Sequence, residues 1–141
     1  MEPATITFHV KPMGKPRMTR RDAWAKRPCV LRYWEFKDTL NASIEADDGV
    51  FNAVNYGNIY RVDWTAYFPI PKSWSKKKKE LFAGGIHRQK PDRDNVDKAI
   101  LDAIFKDDSV ISDGVLKKRW DDGAGARIEV VFHDVEDGDA K

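Results

Sequence analysis

Acidic side chains are concentrated in one short part of the chain, on either side of a lysine. Residues 90–98 read KPDRDNVDK, and the pair Asp107–Asp108 follows nine residues later. Clustered carboxylate oxygens with a nearby ammonium are the groups that a hard divalent cation and a phosphate need together. We therefore predict metal-assisted phosphate chemistry here. The candidate metal ligands are Asp92, Asp94, Asp107 and Asp108, and Lys98 is the candidate contact to phosphate or to the attacking water.

The backbone around these acids is expected to change from extended to helical. Asp92 and Asp94 are two residues apart, so in an extended segment both would point the same way. Pro91 biases the residue before it toward extended geometry. After this segment, apolar residues recur with the spacing of a helix. The pattern predicts a helix over about 95–105, with Asp94 or Asn95 as its N-cap.

A purely structural interpretation of the same residues stays open. Asp94 could be no more than a helix cap. Asp94, Lys98 and Asp102 could be a solvated series of charges one turn apart. Asp102 could also hold the Lys98 ammonium in place. The pair Asp107–Asp108 could be an ordinary turn, and Asp107 could support a neighbouring ligand instead of binding metal. Like charges close together cost stability unless a cation neutralises them, which favours the metal site.

The acidic segment resembles the signature of RusA-type Holliday junction resolvases, which are endodeoxyribonucleases common in phages and prophages. The resemblance rests on KPDRDNVDK, on the Leu101–Ala103 segment and on the segment KDDS at 106–109. It extends to GKPRMTRR near the N-terminus, to PKSWSKKKKELFAGG, and to later strands, the first of which carries Lys118. Most of the chain from Ile6 to Phe132 is covered.

The resemblance implies a function, a cofactor and an assembly. The family's essential aspartates and lysine fall on Asp92, Asp94, Asp108 and Lys98. The implied activity is Mg²⁺-dependent cleavage of four-way junction DNA, with Mn²⁺ as a substitute, in recombination and repair. A homodimer is implied because a junction needs two symmetric nicks, and a two-fold protein matches a two-fold substrate.

Basic residues are concentrated near the N-terminus, although the net charge is only +2. Residues 11–30 contain three prolines and no regular period, so they predict a long loop, and long loops in small domains are usually functional or disordered. Arginine binds phosphate with two parallel hydrogen bonds. Trp24, inside this loop, is the candidate for stacking on an unpaired base. The predicted DNA-binding residues are Lys15, Arg17, Arg20, Arg21 and Lys118.

The hydrophobic periodicity predicts an α+β fold, a single domain with helices packed against a mixed sheet. Strands are predicted at 5–10, 60–68, 115–120 and 126–132, and helices at 31–46, within 71–85 and at 95–105. Residues 52–58 are predicted to be a turn or a weak strand, and residues 134–141 an acidic, frayed tail. His87 is expected to be structural or on the surface, where it could meet DNA.

Composition excludes several classes of protein. With 141 residues and 41% hydrophobic content, the chain can form one compact core. A single cysteine excludes a disulfide framework within the chain. No apolar run reaches the length of a membrane span and no signal peptide is recognisable, so we expect no membrane partner and a cytoplasmic protein of a bacterium or phage-infected cell.

Two other functions remain open from the sequence. The chain could be a nuclease that prefers forks, flaps or RNA, because the same metal chemistry acts on every phosphodiester. It could also be a junction-binding protein without catalysis, although the presence of all the acids and Lys98 argues against this.

Overall fold

A four-stranded mixed sheet carries the helices on one of its faces. The computed structural model describes residues 3–19, residue 21 and residues 27–135. The α+β class predicted from the sequence is confirmed. The strands are β1 (Ala4–Phe8), β2 (Ile59–Phe68), β3 (Leu116–Trp120) and β4 (Arg127–Asp134). The helices are α1 (Pro28–Glu45), α2 (Asp48–Tyr56), α3 (Lys76–Phe82) and α4 (Arg93–Ile104), and a 3₁₀ turn spans Asp108–Val110.

The strand order in the sheet is β1-β4-β2-β3. The pairs β1–β4 and β4–β2 are antiparallel, whereas β2 and β3 are parallel. Parallel neighbours need a long connection, and here that connection contains α3, α4 and the 3₁₀ turn. The acidic segment therefore lies in the crossover between β2 and β3, which places it beside both strands.

The core forms between the helices and the apolar face of the sheet. Along β2, alternate residues from Val62 to Phe68 are buried, as the alternating sequence predicts. In α1, Phe36, Leu40 and Ile44 are buried one turn apart. In α4, Val96 and Ile100 are fully buried against the same core. These contacts fix the orientation of α4, so its remaining faces are directed away from the core.

Residues 52–58 were predicted to be a turn or weak strand, and this prediction is wrong, because most of them belong to α2. The Asp47 side chain accepts a hydrogen bond from the backbone N–H of Val50, 3.2 Å away, and so caps the helix. Val50 is buried against the core. Only two residues, Ala46 and Asp47, separate α1 from α2.

The start of α4 also differs from the prediction. The helix begins at Arg93, so Asp92 is its N-cap residue and Asp94 lies in its first turn. The predicted N-cap at Asp94 or Asn95 is wrong, and Asp92 and Asp94 do not share an extended segment. Burial of Val96 and Ile100 on one face of α4 accounts for the helical geometry so close to Pro91.

The ends of the described chain are held in the sheet. Asp134, predicted to be frayed, is the last residue of β4, and its Oδ1 accepts a hydrogen bond from the backbone N–H of Asn58 at 3.0 Å. The rest of the predicted tail, from residue 136, lies outside the described residues. Within the described chain, none of the helices has the length and apolar character that crossing a membrane requires.

His87 is buried between aromatic rings, with 6% of its surface exposed. Its ring centroid lies 4.1 Å from that of Phe68 and 4.4 Å from that of Trp120. Its Nδ1 has no hydrogen-bond partner in the part of the chain that the structure describes. Burial, with a smaller effect from the Lys118 ammonium, lowers the pKa of His87 to about 4. Burial of this ring agrees with a structural role.

We predict that His87 makes the fold sensitive to acid. Between its ordinary pKa of 6.5 and about 4, the unfolded chain takes up a proton that the folded chain does not, so stability falls as the pH falls. His87→Phe keeps the ring stacking and removes this proton uptake. Thermal unfolding at pH 7.0, 5.5 and 4.5 should show a smaller loss of melting temperature for the variant than for the wild type. Equal losses in the two proteins would contradict this.

Candidate active site

Asp92 is exposed at the start of α4 with its carboxylate uncommitted to the helix. Although it is the N-cap residue, its side chain makes no capping hydrogen bond. The backbone N–H groups of Asn95 and Val96 both donate to the Asp92 backbone oxygen. Among the described residues, its ion-pair partner is the exposed Lys90 ammonium, 3.7 Å away. An exposed pair of this kind is weak, so the Asp92 carboxylate is available to a ligand.

The acidic pair at 107–108 has divided roles. Asp107 Oδ1 accepts hydrogen bonds from the backbone N–H and the hydroxyl of Ser109, and these bonds lower the pKa of Asp107. They hold the 3₁₀ turn that begins with Asp108. Of the two roles predicted for Asp107, support of a neighbouring ligand fits these contacts better than ligation itself.

Asp97 is an acidic residue of this region that sequence reasoning missed. Its Oδ1 accepts a 2.8 Å hydrogen bond from the indole Nε1–H of Trp64, a buried residue of β2. Partial burial raises the pKa of Asp97, and the charges of Asp108 and Asp94 raise it further, whereas the Trp64 hydrogen bond opposes the shift. Asp94, Asp97 and Asp108 thus form one acidic group, although the chain separates them. The spacing of three between Asp94 and Asp97 on one helix was the available signal.

Lys98 faces an open groove beside this acidic group. Its side chain is exposed, and it has no ion-pair partner among the residues that the structure describes. The groove has a volume of about 490 Å³. Its lining residues are Lys15, Pro16, Arg17, Met18, Asn95 and Lys98. An unpaired ammonium and a guanidinium at the edge of an acidic group form a surface that can hold a phosphate.

The basic loop is tied directly to α4. The Lys15 backbone N–H donates to the Asn95 carbonyl at 3.3 Å, and the Lys15 ammonium pairs with Asp102. Asp102, which could have held the Lys98 ammonium, is instead paired with Lys15, which crosses to it from the loop. Gly14 allows the close approach, since a Cβ there would lie only 2.4 Å from Asn95 Nδ2 and 3.0 Å from Pro91 Cβ.

The other predicted DNA-binding residues lie in different places. Arg17 is exposed in the groove, and its backbone oxygen accepts a 2.7 Å hydrogen bond from the Arg27 guanidinium. Arg21 is exposed. Arg20 and the predicted stacking residue Trp24 lie outside the described residues. Lys118 does not reach the groove; it donates to two backbone oxygens near Asp92.

The donor set fits Mg²⁺ without forming a closed cage. Among the described residues, no group of three or more His, Cys, Asp or Glu side chains is close enough together to hold a metal ion. Mg²⁺ differs from metals that need such a cage, because it usually binds one or two carboxylates and completes its shell with waters and substrate phosphates. Asp94 and Asp108 offer hard oxygen ligands, and each repels the Asp97 carboxylate, so a divalent cation would relieve that repulsion.

The sequence model of the family described as Endodeoxyribonuclease RusA matches residues 8–131. The chain belongs to this family. The match includes the acidic segment, the groove and every strand in part, which confirms the resemblance seen in the signature. The protein is therefore an endodeoxyribonuclease of the RusA type, the family of the Holliday junction resolvases. No curated protein matches the chain.

We predict that Asp97→Asn stabilises the metal-free protein at neutral pH. The amide oxygen can still accept the Trp64 hydrogen bond, while a part-buried charge beside Asp94 and Asp108 is removed. Because the folded state raises the pKa of Asp97, its ionisation opposes folding at pH 7, and the penalty disappears as the carboxylate protonates toward pH 4.

The measurement is thermal unfolding in EDTA at pH 7 and pH 4. The melting temperature of Asp97→Asn should exceed that of the wild type at pH 7, with a smaller difference at pH 4. Asp38→Asn, an exposed change on α1, serves as the matched control and should have little effect at either pH. A lower melting temperature for Asp97→Asn at pH 7 would show that the Asp97 charge stabilises the fold.

Proposed function

We propose that this RusA-family protein is a Mg²⁺-dependent endonuclease that resolves Holliday junctions by paired symmetric nicks. The observation that carries the proposal is that acidic and basic side chains come together on one helix. Asp94 and Asp97 lie in α4, where the charge of Asp108 also acts on Asp97, and the groove containing Lys98 and Arg17 opens on the same helix. A nuclease needs such a border, with ligands for metal on one side and donors for phosphate on the other.

The residues around this border have distinct proposed roles. Asp92, Asp94 and Asp108 would hold Mg²⁺, at most two of them directly and the rest through its water ligands. Asp107 holds the turn that presents Asp108. When bound, Mg²⁺ supplies Lewis-acid activation of water and stabilises the leaving oxygen. The Lys98 ammonium would contact a non-bridging phosphate oxygen or the attacking water. Donors already in place where charge develops lower the barrier to reaction.

DNA would follow the groove toward the basic loop. Arg17 lines the groove, and Arg21 is exposed farther along the same loop. Contacts of this kind position the phosphate backbone without reading its sequence. Lys15 was predicted to join them, but its ammonium is already paired with Asp102, so we assign Lys15 the role of holding the loop against α4. Selection of a four-way junction would then depend on the shape of the DNA.

The experiment is a cleavage assay on four-way, fork, flap and linear duplex DNA with Mg²⁺, Mn²⁺ or EDTA. Four-way DNA should be cut with either metal and not with EDTA. Asp92→Asn, Asp94→Asn and Asp108→Asn should each abolish cleavage and retain junction binding, because asparagine keeps the shape and removes the charge that holds the metal. Lys98→Ala should slow cleavage by about 10²-fold without weakening metal binding.

Asp38→Asn is the control for these substitutions and should cut at the wild-type rate. A wild-type cleavage rate for any one of the three asparagine variants would show that the replaced aspartate is not part of the site. Faster cutting of forks or flaps than of four-way DNA would show that forks or flaps are the preferred substrates. Junction binding without cleavage in any metal would indicate a binding protein.

We further propose that two copies act on one junction. Each chain offers one acidic group, whereas resolution needs two cuts. Mixed dimers of wild-type and Asp92→Asn subunits should nick one strand of a supercoiled cruciform, so nicked circles should accumulate at the expense of linear product. The fraction of linear product after mixing is the measurement. A monomer by light scattering, both with and without DNA, would contradict the proposal.

A further inference from the structure

We propose that Lys118 is a positioning residue that holds the segment leading into Asp92, and that it does not contact DNA. The inference deepens the proposed metal-dependent nuclease function and rests on it, because Asp92 is taken as a ligand of the metal. Lys118 had been predicted to bind DNA from the sequence, and its contacts point to a different task.

The Lys118 ammonium is committed to the backbone on the N-terminal side of Asp92. Its Nζ donates to the carbonyl oxygens of Gln89 and Pro91, each at 2.6 Å. A lysine ammonium has three donors, so two of them are used here. Hydrogen bonds from a charged donor are shorter and stronger than neutral ones. One donor remains, so a phosphate would meet an ammonium that already has two backbone partners.

The backbone of Lys118 is held in the sheet. It lies within β3, where its register partner on the parallel strand β2 is Ala66. Its backbone oxygen accepts a 3.1 Å hydrogen bond from the N–H of His87. Its Nζ also lies 6.0 Å from the centre of the Phe68 ring, at the limit of a cation–π contact. The ammonium is thus presented from the sheet at a defined position.

The segment that it holds has little other support. Backbone hydrogen bonds fix His87 on one side and Asn95 on the other. Across the described residues, no hydrogen bond between backbone atoms involves residues 88–91. The two bonds from Lys118 are therefore the main polar attachment of this segment to the sheet. The Pro91 carbonyl belongs to the peptide unit that precedes Asp92, so holding it restricts the position of the Asp92 carboxylate.

Loss of this attachment should weaken metal binding and leave DNA affinity unchanged. Residues that orient a metal ligand commonly change metal affinity by about 10–100-fold when they are replaced. Removal of a phosphate contact has a different signature, since it lowers the slope of log K against log[salt] by about 0.9. The two roles of Lys118 can therefore be separated by measuring both quantities.

The experiment compares Lys118→Met with the wild type, with Lys118→Arg and with two controls. Mn²⁺ binding is measured by calorimetry without DNA, junction binding is measured across salt concentrations in EDTA, and cleavage is measured across Mg²⁺ concentrations. Lys117→Met is the matched control, because Lys117 is the exposed neighbour of Lys118 in β3. Arg17→Ala is the comparison for a true phosphate contact.

Lys118→Met should weaken Mn²⁺ binding and raise the Mg²⁺ concentration for half-maximal cleavage by about 10-fold or more. Its salt slope should equal that of the wild type. Lys118→Arg should restore part of the metal affinity, because it keeps a charged donor. Lys117→Met should match the wild type in all three measurements. Arg17→Ala should lower the slope by about 0.9 and leave Mn²⁺ binding unchanged.

A lower slope of log K against log[salt] for Lys118→Met, with unchanged Mn²⁺ affinity, would overturn the inference. It would show that Lys118 contacts DNA. Unchanged values in every measurement would overturn it as well, while cleavage by the wild type would leave the proposed function standing. A wild type that neither binds Mn²⁺ nor cuts would refute both. If Lys118→Met does not fold, Lys118→Gln replaces it, with the same results expected in the same direction.

Discussion

Repulsion among carboxylates is the constraint around which the site is built. Asp94 and Asp108 repel the part-buried Asp97 carboxylate, so ionisation of Asp97 opposes folding when no cation is present. The fold tolerates this arrangement because neighbouring groups donate to the carboxylates or hold their backbone. The Trp64 indole binds Asp97, and Ser109 binds Asp107 beside the third acid. The strain is local, and the core next to it is apolar and continuous.

The sheet supplies the rigidity that the acidic segment lacks. Trp64 comes from β2 and Lys118 from its parallel neighbour β3, and both side chains reach the crossover that connects these two strands. A functional group is held most accurately when its supporting contacts come from regular elements. The parallel pairing of β2 with β3 is therefore connected to the chemistry, since it brings both supports to the same end of α4.

The basic loop, which the sequence predicts over residues 11–30, is attached to α4 by contacts of its own. Gly14 permits close contact with Asn95, and the Lys15 ammonium is anchored on Asp102. Arg17 is thereby presented in the groove beside Lys98. One lysine of the loop is used for attachment so that a neighbouring arginine can face outward. Lys15 and Arg17 appear equivalent in the sequence but have unequal roles, because Lys15 reaches Asp102 whereas Arg17 faces the groove.

The fold class, the main strands, α1 and the family were predictable from the amino-acid pattern, because alternating and helical patterns are local and the signature is contiguous. It also identified the acids around Asp92 and Asp108. The partners of these residues, in contrast, depend on how the chain folds. Asp97 joined the acidic group through Trp64, Asp102 paired with Lys15, and Lys118 turned toward the backbone before Asp92. Each of these contacts joins residues far apart in the chain, and no local periodicity encodes such a pairing.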